Sequence, residues 1–257
     1  MPNSGPVHVL LLAGTAEAAA LDAALADDDG FRVTVALAGV TRNARPFHGT
    51  VRRGGFGGAE GLAAFLRDGA VDLVVNATHP FADRMTAQAV QAAAACGTPI
   101  LRLSRPAWTR PKGATWLPAE DLAHAARLLP SDATAFLALG QRHLAAFRGH
   151  AARLAVRSID PPPPDLLPTA RWIVGPPGQS VSEEQSLLVQ LGVTHLVARN
   201  SGGTAGWAKI AAAAALSLPV IMIARPAQQA QDTVLNATAA LDWLRSMPCW
   251  SPGRQPR

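Results

Sequence analysis

The chain has 257 residues, of which 49% are hydrophobic, and its formal net charge is +5. This length can bury the core of one large α/β domain or of two small ones, and the composition excludes a disordered chain. No apolar stretch reaches the roughly 18 residues of a membrane-spanning helix, and the apolar start follows Pro and Gly rather than basic residues. We therefore expect neither a membrane anchor nor a signal peptide, and a cytoplasmic location. The two cysteines, Cys96 and Cys249, are too few for a disulfide framework.

The positive charge is carried almost entirely by arginine. Lys112 and Lys209 are the two lysines, which leaves 21 of the 23 basic residues as Arg. A GC-rich coding sequence would explain part of this preference. Arginine also binds phosphates and carboxylates through two parallel hydrogen bonds, which suits a polyanionic small ligand. No basic run is interleaved with aromatic residues, so we do not expect nucleic acid as a partner.

In the first half of the chain, short apolar runs alternate with helical patterns. Strands that are apolar throughout and alternate with helices predict a parallel sheet covered on both faces, and right-handed crossovers make it doubly wound. The predicted elements are a strand at 8–13, a helix at 17–26, strands at 32–38 and 50–52, a helix at 59–67, a strand at 71–76, a helix at 83–96 and a strand at 99–103.

The same alternation resumes after residues 105–118, which carry three prolines and are interpreted as a linker or as the start of the second domain. Four consecutive prolines at 161–164 predict an extended loop. The fold class is therefore α/β, with two Rossmann-like domains at 1–107 and 108–257, each a mostly parallel five-stranded sheet flanked by helices. Ligands are expected at the carboxyl ends of the strands, between the domains. The second-half strands are predicted at 134–139, 153–158, 172–174, 195–199 and 220–224, and the helices at 119–129, 141–147, 182–191, 205–216 and 229–245.

Gly14 and Thr15 connect the first strand to the first helix. A glycine at this turn lets a phosphate approach the backbone, and the start of the helix offers free N–H groups. Thr15 is expected either to cap the helix or to donate its hydroxyl to a phosphate. Only one glycine of the G-x-G-x-x-G pattern is present, so a simple strand–helix turn is the alternative.

The end of the second strand favours NADP over NAD. An NAD site usually places Asp or Glu there, whereas this chain has no acid and has Arg42, which would pair with a 2′-phosphate. The alternative is a solvated loop arginine. The glycine-rich segment that begins at Gly54 follows the third strand and would allow close approach of a ligand, although loop flexibility also explains it.

Polar residues follow the fourth strand at the same predicted edge as Gly14. Thr78 and His79 lie in residues 76–82 (Asn-Ala-Thr-His-Pro-Phe-Ala), and His79 could donate a proton near neutral pH. Alternatively, Thr78 caps the turn and His79 binds a backbone carbonyl. In the second half, residues 199–204 (Arg-Asn-Ser-Gly-Gly-Thr) form another strand–glycine–helix turn before Lys209, which is either a ligand for substrate carboxylate or an exposed lysine.

One residue type and several motifs are absent from the sequence, and each absence argues against a particular kind of chemistry. The chain has no Tyr, which excludes the Tyr–Lys proton-donor arrangement of short-chain dehydrogenases. No spacing of His, Cys or acidic residues suggests a metal site, and neither a nucleophile elbow nor a Walker sequence is present. The chemistry that remains is hydride transfer, in which a nicotinamide cofactor supplies the reactive atom.

Four motifs together resemble the precorrin-6A reductase family over residues 8–245. They are Gly-Thr-x-Glu at 14–17, residues 76–82, Arg-Leu-Ser-Arg-Pro-Ala-Trp at 102–108, and Arg-Asn-Ser-Gly-Gly at 199–203 followed by Lys209. The family usually has Asp where this chain has Asn76 and Lys where it has Arg199.

The resemblance implies reduction of one carbon–carbon double bond of the precorrin-6A macrocycle by NADPH, to give precorrin-6B in cobalamin biosynthesis. The substrate is a tetrapyrrole-derived polycarboxylate. The implied cofactor-binding residues are Gly14, Thr15, Arg42, Gly54, Thr78 and His79, and the implied substrate-binding residues are Arg102, Arg105, Ser201, Gly202 and Lys209. His79 is the candidate catalytic residue, with water as the alternative proton donor, and no metal is expected.

Two other functions stay open on the residues alone. One is an S-adenosylmethionine-dependent methyltransferase of similar fold, against which Arg42 argues, since such a site normally has an acid at the end of the second strand. The other is a non-catalytic nucleotide-binding module. The sequence leaves the oligomeric state open, with a monomer as one alternative.

Overall fold

Helices and parallel strands alternate through both halves of the chain, as the apolar runs predict. A computed structural model describes residues 5–37, 46–227 and 231–249. The chain divides into two units. Unit 1 comprises Met1–Arg105 and Pro226–Arg257, and unit 2 comprises Pro106–Arg225.

Unit 1 contains a sheet with six described strands, and every described pairing in it is parallel. The strand order is β3-β2-β1-β4-β5-β12, in which the first five strands follow the order of a Rossmann fold and the last described strand fills the sixth position. The elements are β1 (Val7–Leu12), α1 (Ala16–Ala26), β2 (Phe31–Leu37), β3 (Thr50–Arg53), α2 (Gly58–Asp68), β4 (Leu73–Asn76), α3 (Asp83–Cys96), β5 (Ile100–Leu103), β12 (Asp232–Val234) and α7 (Ala237–Ser246).

The buried strand β1 shows why this sheet is covered on both faces. Val9 and Leu11 pack into a core that includes residues of α1 and α7, whereas Leu10 and Leu12 pack into a second core with residues of α2 and α3. Successive side chains of a strand point to opposite faces, so an all-apolar strand needs helices on both sides. Each fully buried Leu contributes about 1.5–3 kcal/mol through the hydrophobic effect.

Unit 2 repeats this architecture. Its described strands are also parallel and lie in the order β9-β8-β7-β10-β11-β6. The elements are β6 (Trp116–Ala119), α4 (Leu122–Leu128), β7 (Thr134–Ala138), β8 (Arg153–Ser158), β9 (Arg171–Val174), α5 (Val181–Gln190), β10 (His195–Arg199), α6 (Trp207–Ala215) and β11 (Val220–Ile223).

The two predicted five-stranded sheets therefore each have six described strands. The additional strands are β6 and β12, which lie at the sheet edges. The predicted boundary at 107/108 lies close to the first transition, at Arg105/Pro106, but the segment from Pro226 onward belongs to unit 1 and not to the second domain. The reason is that β12 pairs with β5 and that Leu244 of α7 is buried in the core of unit 1.

Three of the predicted helices are also shorter than expected. In the segment 229–245, β12 occupies Asp232–Val234 and α7 begins only at Ala237, after Asn236, whose side chain accepts a hydrogen bond from Ala239 N–H at 2.8 Å. The segment 119–129 begins with the end of β6, and its helix starts after Asp121, whose side chain accepts a hydrogen bond from His124 N–H at 2.7 Å. The segment 141–147 forms two short 3₁₀ turns, Gln141–His143 and Ala145–Phe147. Within the described ranges, no helix has the length and apolar character needed to cross a membrane.

Candidate functional site

The topological switch point of unit 1 brings two predicted motifs together. β1 and β4 are neighbours in the sheet, yet the chain leaves them in opposite directions along it, toward β2 and β5. α/β sheets bind ligands at the carboxyl ends of strands at such a point. The turn of Gly14 and Thr15 follows β1, and the turn of Thr78 and His79 follows β4.

Gly14 and Thr15 lie directly beside the β4 turn. A Cβ atom added to the exposed Gly14 would lie 3.8 Å from the backbone nitrogen of His79. The Thr15 hydroxyl donates to the carbonyl of Ala77 at 3.0 Å and accepts from Ala18 N–H at 3.2 Å. Thr15 therefore caps α1 and joins the two turns, and of the two roles predicted for its hydroxyl the capping role is the one observed.

A buried guanidinium holds the β4 turn in place. Arg102 is 4% exposed and donates to Asn76 Oδ1 at 2.7 Å, to Thr78 Oγ1 at 3.0 Å and to the Thr78 carbonyl at 3.1 Å. Its contact with the carbonyl of His79 is longer, at 3.5 Å. Hydrogen bonds from a charged donor to several buried acceptors fix a loop strongly. Arg102 was predicted to bind substrate, and these contacts favour a role in positioning the turn.

Asn76 completes this network as an amide. Its Oδ1 also accepts from the Thr78 hydroxyl at 2.8 Å, and its Nδ2 donates to Thr86 Oγ1 at 3.1 Å. Asn76 is fully buried, so a carboxylate in its place would lack the donor that now reaches Thr86. The amide at this position therefore serves as both an acceptor and a donor.

His79 lies in the same turn and is half-buried. Its Nδ1 accepts a hydrogen bond from Phe81 N–H at 3.3 Å. In the neutral ring this contact assigns the proton to Nε2, which is then the donor nitrogen.

Arg105, also predicted to bind substrate, contacts the first turn of α1. Its Nη1 lies 2.9 Å from Glu17 Oε2. Burial opposes ionisation of Glu17, but hydrogen bonds from its own backbone and from Arg105 outweigh burial and lower the pKa of this carboxyl. The pair removes a net negative charge from the helix start, where a phosphate would otherwise be repelled.

The glycine-rich loop after β3 is held by Arg52. The guanidinium donates to the carbonyls of Gly54 and Gly55 at 2.8 and 2.9 Å and lies 4.1 Å from the ring centroid of Phe56. Gly54 has a φ of +98°, which glycine adopts without strain. The loop is thus held by specific contacts at the carboxyl end of β3. Arg42 lies outside the described residues.

In unit 2, the turn after β10 is fixed by its neighbours. Asn200 and the backbone of Trp108 exchange two hydrogen bonds, at 2.7 and 3.1 Å. Arg225 donates to the carbonyls of Asn200 and Ser201 at 2.9 and 3.1 Å. Gly202 is buried with a φ of +67°, and an added Cβ would lie 2.0 Å from the carbonyl oxygen of Pro106. These contacts show a structural requirement for Gly202.

The switch point of unit 2, between β7 and β10, carries basic groups. Arg199 Nη1 donates to His143 Nε2 at 2.9 Å, so that nitrogen acts as an acceptor. Burial, together with the positive charges of Arg199 and Arg142, lowers the pKa of His143. Lys209 lies in the first turn of α6 and donates to the carbonyl of Gly206 at 2.9 Å.

A cavity of about 450 Å³ lies at the other end of the unit 2 strands, and it is not the predicted site. Thr134, Arg153 and Arg171, which line it, are the first residues of β7, β8 and β9.

The described residues contain no group of three or more His, Cys, Asp or Glu placed to hold a metal ion.

Sequence reasoning missed several residues of these sites. Arg52 acts on the loop that directly follows it. Trp108 acts through hydrogen bonds with Asn200 and Gly203, which are distant in the chain, so spacing does not reveal its role. The Trp in the motif at 102–108 was the available signal for Trp108.

The fold and its switch-point turns define a two-unit, Rossmann-like α/β protein of the kind that binds dinucleotides. The family model for precorrin-6x reductase CbiJ/CobK matches residues 8–245. A precorrin-6A reductase of Rhodococcus erythropolis is 42% identical over 243 residues, covering 93% of this chain and 98% of the relative. The enzyme of the same name from Rhodobacter capsulatus is 40% identical over 242 residues, covering 92% and 95%.

A solved structure agrees with these sequence matches. The structure of CobK precorrin-6A reductase superposes with a TM-score of 0.88 at 38% identity and covers 98% of this chain and 99% of that chain. The chain belongs to the precorrin-6x reductase family, a family of oxidoreductases of cobalamin biosynthesis.

Proposed function

We propose that this protein is a cytoplasmic enzyme that reduces one carbon–carbon double bond of precorrin-6A with NADPH, giving precorrin-6B. The observation that carries the proposal is the switch point of unit 1, where the exposed Gly14 and the start of α1 adjoin the Thr78–His79 turn. The matches to precorrin-6A reductases over almost the whole chain support the choice of substrate.

The residues of unit 1 fit a dinucleotide. Gly14 is exposed and has no side chain to exclude a phosphate, and α1 presents the backbone N–H groups of its first turn. Arg105 neutralises Glu17 in that turn. In the proposal, Gly14 and the backbone of Thr15 bind the pyrophosphate, Arg42 binds the 2′-phosphate, and the loop at Gly54 borders the cofactor.

The Thr78–His79 turn would position the nicotinamide, which supplies hydride to one carbon of the macrocycle. Arg102 and Asn76 hold this turn from beneath, so it is preorganised before a ligand binds. The adjacent carbon of the substrate requires a proton. His79 is the candidate donor, with water as the alternative. It would act as the imidazolium, which requires a proton on Nδ1, the nitrogen that accepts from Phe81 N–H in the neutral ring.

Substrate carboxylates need cationic or N–H donors. We assign Arg105, Ser201, Gly202 and Lys209 to this role. For Gly202 the contribution is the backbone N–H. For Ser201 it is the side-chain hydroxyl, because the backbone N–H already donates to the Arg199 carbonyl at 2.7 Å. Arg102 is reassigned from substrate binding to positioning, because its guanidinium is buried against the β4 turn.

The direct test is a turnover assay. NADPH absorbance should fall when precorrin-6A is supplied and remain constant without it. NADPH, but not S-adenosylmethionine, should quench the Trp fluorescence. Methyl transfer to the substrate, or nucleotide binding without turnover of precorrin-6A, would contradict the proposal.

The preference of the enzyme for NADPH over NADH tests the role proposed for Arg42. Arg42→Ala should raise KM for NADPH about 10- to 150-fold with a smaller change in kcat, because a charged hydrogen bond of about 1.5–3 kcal/mol is lost. The control is Arg84→Ala, an exposed position on α3. Equal use of NADH and NADPH by the wild type would show that Arg42 does not select the cofactor.

The effect of a substitution on kcat tests whether His79 donates the proton. His79→Ala should lower kcat if the ring assists protonation, by about 100-fold or more for general acid catalysis. An unchanged kcat would leave water as the donor and His79 as a residue of the turn.

A further inference from the structure

The cavity of about 450 Å³ at the amino ends of the unit 2 strands has a basic lining. Arg153 and Arg171 contribute its positive charge, and none of the described residues that line it is acidic. All of these residues belong to unit 2. Sites for small ligands usually have volumes of about 300–1,000 Å³. The cavity therefore has the size and the charge that a small anion requires.

The register of the strands places both arginine side chains on one face of the sheet. Arg171 is paired with Ala155, which follows Arg153 by two residues on β8. Paired residues share a face, and so do residues two apart on a strand. With strands about 4.8 Å apart and a rise of about 3.3 Å per residue, the Cα atoms of the two arginines are about 8 Å apart. Two long side chains at this spacing can bind one ligand, and the small side chain of Ala155 leaves room for it.

The two guanidinium groups have few contacts with the protein. Arg153 Nε donates to the buried Thr134 Oγ1 at 3.0 Å, which orients the side chain. In the part of the chain that the structure describes, neither the terminal nitrogens of Arg153 nor the guanidinium of Arg171 has a hydrogen-bond acceptor or a carboxylate partner. Arg157, on the same face of β8, is instead paired with Glu184. Arg153 and Arg171 are thus two neighbouring positive charges that are not neutralised by the described residues.

The other walls of the cavity do not compete with an anion for these arginines. His150 Nδ1 accepts from Ala152 N–H, and Nε2 donates to the Ala126 carbonyl, each at 3.1 Å, so both nitrogens of the neutral ring are used. Leu191 ends α5 beside the cavity. The last carbonyls of this helix, at residues 187–189, accept from the N–H groups of residues 191–193, which weakens the negative end of the helix.

We propose that this cavity binds a small anion with two or more negative groups, of phosphoryl or polycarboxylate chemistry, through Arg153 and Arg171 together. Each guanidinium can form two parallel hydrogen bonds to such a group, and the anion removes the repulsion between the two charges. The hydroxyl of Thr169, which also lines the cavity, is a further donor. The site lies at the opposite strand ends from the turn of residues 199–203, and it does not depend on the proposed function.

Calorimetric titration of the full chain with pyrophosphate tests the site. At constant ionic strength, one pyrophosphate should bind per chain with a Kd of about 1 mM or lower. Acetate should not displace it, because a single carboxylate cannot bridge both arginines. Displacement by citrate would identify a site that also takes polycarboxylates, whereas no displacement would restrict the ligand to phosphoryl compounds. Absence of saturable binding of both pyrophosphate and citrate would overturn the proposal.

Substitution of the arginines tests the location of the bound anion. Arg171→Gln and Arg153→Gln should each weaken pyrophosphate binding about 10-fold or more, because charged hydrogen bonds are lost. Arg171→Lys should have a smaller effect, since it retains the charge but not the planar donor group. Arg110→Gln, at an exposed position of unit 2 outside the cavity, is the control and should leave the Kd unchanged.

Circular dichroism and thermal denaturation establish that the variants fold. If Arg153→Gln is unstable because Thr134 loses its partner, Arg171→Gln decides the test, since no described hydrogen bond of its guanidinium is removed. An unchanged Kd in Arg171→Gln, or an equal loss in Arg110→Gln, would contradict the proposal. Pyrophosphate binding that NADP⁺ abolishes and that neither cavity substitution weakens would belong to another site and would contradict it as well.

Discussion

At the scale of single residues, the arginines of unit 1 have different roles, although all of them carry the same guanidinium group. Arg102 holds the β4 turn, Arg52 holds the glycine-rich loop, and Arg105 neutralises Glu17. Arg102 and Arg105 contact elements that are distant in the chain, whereas Arg52 contacts the loop that directly follows it. A motif therefore identifies the residue, and the fold determines whether it supports the site or meets a ligand.

The role assigned to Arg102 predicts a loss of stability. Arg102→Met should lower the free energy of unfolding by about 3 kcal/mol, because buried oxygens of Asn76 and Thr78 lose their charged donor. Chemical denaturation measures this change, with Arg84→Met as the exposed control. Unchanged stability combined with a raised KM for precorrin-6A would return Arg102 to the substrate site.

His8 predicts a pH dependence of stability. It is 3% exposed, with Nδ1 donating to the Gly69 carbonyl at 2.9 Å and Nε2 accepting from Thr34 Oγ1 at 2.8 Å. Burial lowers its pKa below 6.5, so as pH falls below that value the unfolded chain takes up the proton first. Stability is therefore present above pH 6.5 and decreases as pH falls toward the folded pKa, by at most about 1.4 kcal/mol per pH unit for this group.

Denaturation midpoints between pH 7.5 and 5.5 measure the effect. His8→Gln should flatten the profile, and His48→Gln, at an exposed position, serves as the control. A slope that His8→Gln leaves unchanged would assign the acid sensitivity to other groups.

At the scale of elements, the contiguous strands of each sheet were predictable and the sixth strands were not. β12 has only three residues, too few to show a pattern, and it pairs with β5 from far along the chain. β6 contains Pro118, which argues against a central strand but is tolerated at a sheet edge. The segment beyond Pro226 was consequently assigned to the wrong unit.

The segment that contains α7 follows unit 2 in the chain but belongs to unit 1. We therefore expect a core substitution in α7 to destabilise unit 1. Leu244→Ala in α7 should cost about 2–5 kcal/mol, because Leu244 is fully buried in the core that contains β1 and α1. Hydrogen exchange should increase in β1 and α1, more than 200 residues earlier in the chain, before it increases in β7 and β10. Leu188→Ala in α5, fully buried in the core of unit 2, should give the reverse order. Faster exchange in unit 2 alone for Leu244→Ala would contradict the assignment of α7.

At the scale of the whole molecule, both units arrange five of their six described strands in the same order, but their switch points carry different groups. The unit 1 edge has the exposed Gly14 at a helix start, whereas the described unit 2 edge has the His143–Arg199 pair and the tightly filled Gly202 turn. The sequence predicted both edges from glycine turns. It could not distinguish them, because the space around Gly202 is closed by Pro106 and Arg225.

The proposed function depends on binding of the dinucleotide at the switch point of unit 1. A crystal structure with bound NADP⁺ shows where the cofactor lies. We expect the pyrophosphate against the backbone N–H groups of residues 14–17 and the nicotinamide beside the Thr78–His79 turn. A pyrophosphate bound instead at the turn of residues 199–203 would contradict it.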